Sequence, residues 1–217
     1  MPARIVLASH NTGKLRELRE ILRDKISGLN VDEDVVDAST IGAVDVVEDG
    51  VTFAENSLKK ARAVAAATGL IAIADDSGLS VDVLGGAPGI FSARWCGHHG
   101  DDTANLNLLL AQLSDIDDEH RGAQFCCAAS VVTPTGEEHV EHGYMRGTLL
   151  REPRGEGGFG YDPILVPEDL EAPYVGQSCA EIPREVKNSM SHRARAFEAL
   201  IPHLIALLSD EHGSDEQ

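Results

Sequence analysis

The sequence predicts an α/β protein built on a mixed β-sheet. Two observations carry this. Short apolar runs alternate with amphipathic helical patterns along most of the 217 residues, the pattern of successive βα units. One stretch departs from it: residues 124–132 and 139–145 read as two strands around Thr133-Pro134-Thr135-Gly136, an antiparallel hairpin. Parallel units plus one hairpin give a mixed sheet flanked by helices.

Residues 4–8 read as a buried strand. From Lys14 the period changes, and Leu15, Leu18, Ile21 and Leu22 share one helical face. Thr52 with Glu55 forms a capping box that opens a helix to about residue 67. Residues 71–74 are a second strand-like run. Leu106, Leu109, Leu110 and Leu113 mark a helix over 102–113. A glycine-rich loop at 155–160 precedes an apolar run at 161–166. Ser191 suits the N-cap of a last helix whose apolar face includes Phe197, Leu200, Ile201 and Leu204, with Pro202 expected to kink it. No repeat or linker divides residues 1–208, which read as one domain. Residues 209–217 read as a polar, acidic, disordered tail.

Composition narrows the function. The chain is 42% hydrophobic and 25% charged, as expected of a soluble globular protein. No apolar run approaches the roughly 20 residues that span a bilayer, and the start of the chain does not read as a signal peptide. The expectation is a cytoplasmic protein with no membrane partner. Cys96, Cys126, Cys127 and Cys179 lack metal-type spacing and read as reduced thiols. A net charge of −18 argues against nucleic acid, which requires a basic face. It leaves room for a small anionic ligand where local donors and a cation reverse the field. With five Lys against thirteen Arg, a lysine inside a motif is informative.

Three separated motifs point to one chemistry. Ser9-His10-Asn11-Thr12-Gly13-Lys14 sits at a strand-to-helix junction, where free N–H groups attract phosphate. It is not a P-loop, because Ala8 stands at the first glycine and Leu15 replaces the Ser or Thr that holds Mg²⁺. A helix cap with a surface lysine explains it equally well on its own. Asp75-Asp76 follows the run 71–74 at a strand end, a favoured place for catalytic groups in α/β sheets. Two adjacent carboxylates can share metal binding and proton abstraction; a turn is the plain alternative. The loop Gly157-Gly158-Phe159-Gly160-Tyr161-Asp162-Pro163 is either a turn or a platform on which a base stacks. Ser191-His192-Arg193 places cations at a helix start, against the dipole. Anion donors with paired carboxylates suit a Mg²⁺-dependent enzyme acting on a nucleotide phosphate chain.

In this order the blocks resemble the non-canonical purine nucleoside triphosphate pyrophosphatases, the inosine triphosphatase family. The resemblance runs from Ile5 to Leu208 and also includes Thr52-Phe53-Ala54-Glu55-Asn56, Ala74-Asp75-Asp76-Ser77-Gly78-Leu79, Leu84-Gly85-Gly86-Ala87-Pro88-Gly89 and Ser92-Ala93-Arg94-Trp95. It implies a two-lobed fold with a long mixed sheet and a cleft, a homodimer, and housekeeping hydrolysis of ITP, dITP and XTP to monophosphate and pyrophosphate with Mg²⁺. It implies that Ser9, His10, Asn11, Thr12, Gly13, Lys14 and Lys60 line the triphosphate. Asp76 would be the general base and a metal ligand, alongside Asp75, and Ser77 would touch substrate. Phe159, Gly160, Tyr161, Asp162, Lys187, His192 and Arg193 would form the base pocket. Two departures stand out. His10 replaces a common glycine, and the acidic cluster before Thr52 is thinned to Asp45-Val46-Val47-Glu48-Asp49, leaving Glu48 as the second metal ligand. Against a Maf-type pyrophosphatase stand the Ser-His-Arg block and the Phe-Gly-Tyr-Asp loop. Against an aspartyl-phosphate phosphatase stands the lack of Asp-x-Asp spacing. A nucleotide-binding regulator without turnover is the alternative of another class.

Overall fold

A computed structural model describes residues 3–40, 42 and 46–213, the last four by backbone alone. Its six strands form one sheet in the order β2-β1-β3-β4-β5-β6. They are β1 (Ile5–Leu7), β2 (Val35–Asp37), β3 (Ile71–Val81), β4 (Gly122–Val132), β5 (Glu138–Leu149) and β6 (Leu165–Pro167). The helices are α1 (Thr12–Leu22), α2 (Val31–Asp34), α3 (Phe53–Thr68), α4 (Asp102–Gln112), α5 (Arg184–Met190) and α6 (His192–Gly213). β1 pairs in parallel with both β2 and β3, while β5 and β6 are antiparallel. The sheet is mixed, as the sequence predicts.

The described residues sort into two compact units within the span read as one domain. One contains the chain up to Asp76, Cys127–Gly143 and the chain from Arg193. The other contains Ser77–Cys126 and Tyr144–His192. In the first unit, strand alternation fixes which helix covers which face. Ile5 and Leu7 of β1 and Ile71 and Ile73 of β3 pack in one cluster with Leu18 and Leu22 of α1 and Phe197, Leu200 and Leu204 of α6. The intervening residues, Val6, Ala72 and Ala74, pack in another with Ala61, Val64 and Ala65 of α3. Both faces are covered, so these strands read as continuous apolar runs rather than alternating ones.

β1 lies between β2, reached through α1, and β3, reached through α3. With α1 and α3 on opposite faces, the carboxyl end of β1 is a topological switch point, where ligands of α/β sheets bind. One half of the capping box forms, Thr52 Oγ1 accepting from Glu55 N at 3.1 Å; Glu55 Oε2 accepts from Val51 N, one residue before the N-cap, at 2.7 Å. β4 and β5 are neighbours joined by a turn in which Thr133 N donates to Glu137 O at 2.9 Å. β2, α2 and α5 are short elements that periodicity does not reveal. α6 continues past Pro202 to Gly213. Residues 214–217 of the expected tail lie outside the described residues, as does Asp45 of the acidic cluster.

The second unit packs Leu79, Val81, Leu109, Leu113, Met145, Tyr161 and Ile164 together. Its Arg121 is 1% exposed. Arg121 Nε donates to Leu149 O at 2.9 Å, Nη1 to Leu113 O at 2.7 Å and Nη2 to Leu150 O at 2.8 Å. One guanidinium thus satisfies the carbonyl beyond α4 and the end of β5. Arg121→Met should cost about 2–4 kcal/mol, because charge-assisted hydrogen bonds are lost and buried carbonyls left unpaired. Chemical denaturation checks this, and a change below about 1 kcal/mol contradicts the role.

Candidate active site

Asp75 and Asp76 end the regular apolar run of β3. Strand alternation sends them to opposite faces, each toward the helices that cover it. Asp75 continues the face of Ile71 and Ile73 and meets α1 and α6. Lys14 Nζ donates to its Oδ1 at 2.8 Å and its Oδ2 at 2.9 Å, and Arg193 Nε donates to Oδ2 at 3.0 Å. Arg193 Nη1 reaches Glu17 Oε2 at 3.3 Å. Asp75 is 2% exposed. Burial alone would raise its pKa, but Lys14, Arg193 and Lys60 outweigh burial and hold the carboxyl far below the usual range.

Asp76 continues the face of Ala72 and Ala74 and meets α3. Asn56 Nδ2 donates to Asp76 Oδ2 at 3.0 Å, and Lys60 Nζ lies 4.0 Å from Oδ1. Asn56 and Lys60 are one helical turn apart, so both face the strand. Burial raises the Asp76 pKa, Glu48 and Asp75 add to the rise, and Lys60 and Asn56 offset it only in part. Lys60 also holds Glu48 Oε1 at 2.8 Å. Burial works against the Lys60 charge, yet Asp75, Asp76 and Glu48 together raise its pKa above normal. Ser57 Oγ, fully buried, donates to Ala74 O at 3.1 Å, pinning α3 to the residue before the pair.

A depression of about 200 Å³ at the switch point is lined by Ser9, His10, Lys14, Glu48, Lys60 and apolar neighbours. The loop read from the sequence as phosphate-binding is more self-contained than the sequence suggests. Asn11 Oδ1 caps α1 by accepting from Gly13 N at 2.8 Å and Lys14 N at 3.3 Å, and Ser9 Oγ accepts from Asn11 N at 3.1 Å. His10, Asn11 and Thr12 are exposed.

In the second unit Asp162 organises the aromatic loop. Its Oδ2 accepts from Phe159 N at 2.8 Å and pairs with Lys187, whose Nζ also lies 5.0 Å from the Phe159 ring centre. A side chain at Gly158 would collide with this carboxylate, and φ is +74° there, so glycine is required. Gly160 N donates to Asp102 Oδ2 at 2.8 Å. Phe159 is 63% exposed, whereas Tyr161 is buried with its hydroxyl donating to Ser92 O at 2.9 Å. His192 is buried and stacks on Phe125, ring centres 5.1 Å apart. Ser77 is half-buried. Gly78 is hemmed in by Gly89 O and Ser92 Oγ, each 2.5 Å from where a Cβ would sit.

For two of the residues grouped from the sequence, the structure gives partners that the sequence did not suggest. Asp75, read as a metal candidate beside Asp76, has both oxygens engaged by cations and points to the other face of the strand. Arg193, grouped with the base pocket, belongs to the first unit and binds Asp75, while Lys187 and His192 belong to the second.

The profile of the Ham1 family matches residues 5–203. The chain belongs to the Ham1 family. A Streptomyces coelicolor protein named dITP/XTP pyrophosphatase is 58% identical over 206 residues, covering 94% of this chain and 98% of that one. A Leifsonia xyli protein of the same name is 50% identical, covering 94% and 96%. The solved HAM1 protein of Coxiella burnetii shares 39% identity with a TM-score of 0.80, covering 93% of this chain and 98% of that one. The nucleoside-triphosphatase / dITP/XTP pyrophosphatase of Mycobacterium abscessus shares 48% with a TM-score of 0.73, covering 92% and 99%.

Within this Ham1 chain, sequence reading missed Glu17, Asn56 and Ser57. The available signal was spacing: Asn56 and Lys60 at i,i+4, and Lys14 and Glu17 at i,i+3, fall on single helix faces. Asp75→Asn should destabilise the fold by about 3–5 kcal/mol, because it strands the buried cation of Arg193 and the half-buried one of Lys14. Its folded pKa is depressed, so the stabilisation is fully present above the unfolded value of 3.8 and fades as pH falls toward the folded value. Denaturant titrations of both proteins should therefore show a constant gap from pH 6 to 8 that narrows below about pH 4. A gap under about 1 kcal/mol at pH 7 contradicts the ionic anchor.

Proposed function

We propose that this protein hydrolyses non-standard purine nucleoside triphosphates, ITP, dITP and XTP, to the monophosphate and pyrophosphate. One observation carries the chemistry: adjacent carboxylates that strand alternation sends to different partners, Asp75 held as an anion by Lys14 and Arg193 and Asp76 shifted upward by burial. Such divergence gives the two carboxylates different roles, one a permanent anion for the cations around it and one a proton acceptor. Asp76 has the raised pKa of a base that accepts a proton from water. The water oxygen bonds to the α-phosphorus, the bond from that phosphorus to the bridging oxygen breaks, and pyrophosphate leaves. The proton on Asp76 then returns to solvent. Lys60 and the partly exposed Lys14 supply positive charge beside the phosphates, with Ser9, Asn11, Thr12 and Gly13 lining the chain. Asp75 takes no proton and holds Lys14 and Arg193 in place.

The donor set fits a divalent cation. Asp76 and Glu48 offer hard oxygen ligands, and Lys60 now bridges them as a cation between two carboxylates. Mg²⁺ keeps several waters and shares substrate phosphates, so one or two carboxylates would be enough to hold it. When bound, Mg²⁺ would polarise the phosphate and lower the pKa of its water. Phe159 would stack on the base, and Lys187, oriented by Asp162, would donate to a 6-oxo group that adenine lacks. The same reading includes a cytoplasmic, homodimeric enzyme. Among the described residues no helix is long and apolar enough to cross a membrane.

Pyrophosphate release with ITP, dITP, XTP, GTP and ATP, with and without Mg²⁺, tests the activity. The first three should exceed ATP in kcat/KM by roughly 10²-fold or more, within the range that base-edge hydrogen bonds provide. Equal rates for ATP and ITP sink the assignment. Asp76→Asn should lose about 10²–10⁴-fold in turnover while melting close to the unmodified protein. Near-normal turnover removes Asp76 from the mechanism.

A further inference from the structure

The loop that carries Glu48 docks on the first turns of α3 through four consecutive residues. Glu48 pairs with Lys60 at 2.8 Å, and Asp49 pairs with Lys59. Gly50 N donates to Asn56 Oδ1 at 2.8 Å, and Val51 N donates to Glu55 Oε2 at 2.7 Å. These contacts are unequal. Asp49 and Glu48 are substantially exposed, with side-chain exposures of 70% and 38%, and such pairs contribute little. Asn56 is 1% exposed, so its amide must satisfy both its ends inside the protein. One end accepts from Gly50 and the other donates to Asp76 Oδ2 at 3.0 Å. The fit at Gly50 is tight, for a Cβ there would sit 2.6 Å from Asn56 Oδ1 and 2.9 Å from Glu55 Cβ.

We propose that Asn56 is a positioning residue: its amide clamps the Glu48 loop to Asp76 and so sets the spacing of the two carboxylates that hold the divalent cation. This rests on the proposed metal site. The amide is suited to the task because it is planar, donates at one end and accepts at the other, and carries no charge to compete for the cation. Partners that orient metal ligands typically change metal affinity by about 10–100-fold when removed. Glu55 and Thr52 hold the helix start, and Ser57 holds α3 to β3. Asn56 alone among these bonds both Asp76 and the Glu48 loop in the described hydrogen bonds.

The test uses Mn²⁺ alone as a paramagnetic probe, with binding read by electron paramagnetic resonance in the absence of nucleotide. The proteins are the unmodified chain, Asn56→Ala, Glu48→Gln and the double variant. Thermal melts establish that each is folded, and Asn56→Ser takes the place of Asn56→Ala if the latter does not fold. Asn56→Ala should weaken Mn²⁺ binding about 10-fold in the unmodified background. With Glu48→Gln already present it should weaken it less than about 2-fold further, since one ligand leaves no spacing to set. A folded variant with affinity within about 2-fold of the unmodified protein overturns the inference. So does an equal loss in both backgrounds, which marks a role in the fold alone. If Glu48→Gln binds Mn²⁺ as the unmodified protein does, the metal site itself is wrong and the clamp falls with it.

Discussion

Everything at the candidate site follows from a pair of carboxylates placed in sequence on a strand covered on both faces. Because successive side chains point apart, Asp75 inherits the helices that cover Ile71 and Ile73, and Asp76 inherits the helix that covers Ala72 and Ala74. The core packing that folds the first unit therefore also assigns the chemistry. Asp75 meets Lys14 and Arg193 and stays an anion. Among the described contacts Asp76 meets the Asn56 amide and a lysine it shares with Glu48, and its pKa rises. A one-residue slip of β3 would exchange the two environments and leave neither role filled.

The buried ionic cluster has a second consequence. Lys14 lies in the first turn of α1, Arg193 in the first turn of α6, and Glu17 one turn further along α1. Cations there oppose the helix dipoles, and the Asp75 carboxylate, with Glu17, offsets that cost. Desolvating an ion pair rarely yields net stability relative to apolar packing, but removing one member is expensive. The cluster is thus better understood as fixing where α1, β3 and α6 meet than as a source of folding energy. It holds Lys14 at the rim of the depression beside Ser9 and His10.

The layered α/β plan was legible because long apolar runs and amphipathic helices carry strong periodic signals. The hairpin, the capping box at Thr52 and the helices from Thr12 and Asp102 lie where pattern and turn chemistry place them. Ile71–Val81 runs seven residues past the expected run of 71–74, because its continuation through Asp75, Asp76, Ser77 and Gly78 is polar and its strand pairing is set by neighbours. β2 and α2 are too short to show a period. At the site, residue identities were legible and partnerships were not. Adjacency in sequence suggested that Asp75 and Asp76 act together, whereas the pleat divides them. The histidine and arginine of the Ser-His-Arg block likewise fall in different units. Tyr161 looks like a base-stacking aromatic in sequence, but it is buried in the core cluster of the second unit and its hydroxyl donates to Ser92 O, leaving Phe159 as the exposed ring of the loop.

The central claim is that the pleat drives the two carboxylates apart in acidity. Carboxyl-carbon NMR titration of aspartate-labelled protein, assigned with Asp75→Asn and Asp76→Asn, measures that directly. The account predicts that Asp76 titrates above the ordinary aspartate value of 3.8, while Asp75 stays ionised down to the pH at which the protein unfolds. An Asp76 resonance that titrates at or below 3.8, or an Asp75 resonance that titrates above it, would contradict the account.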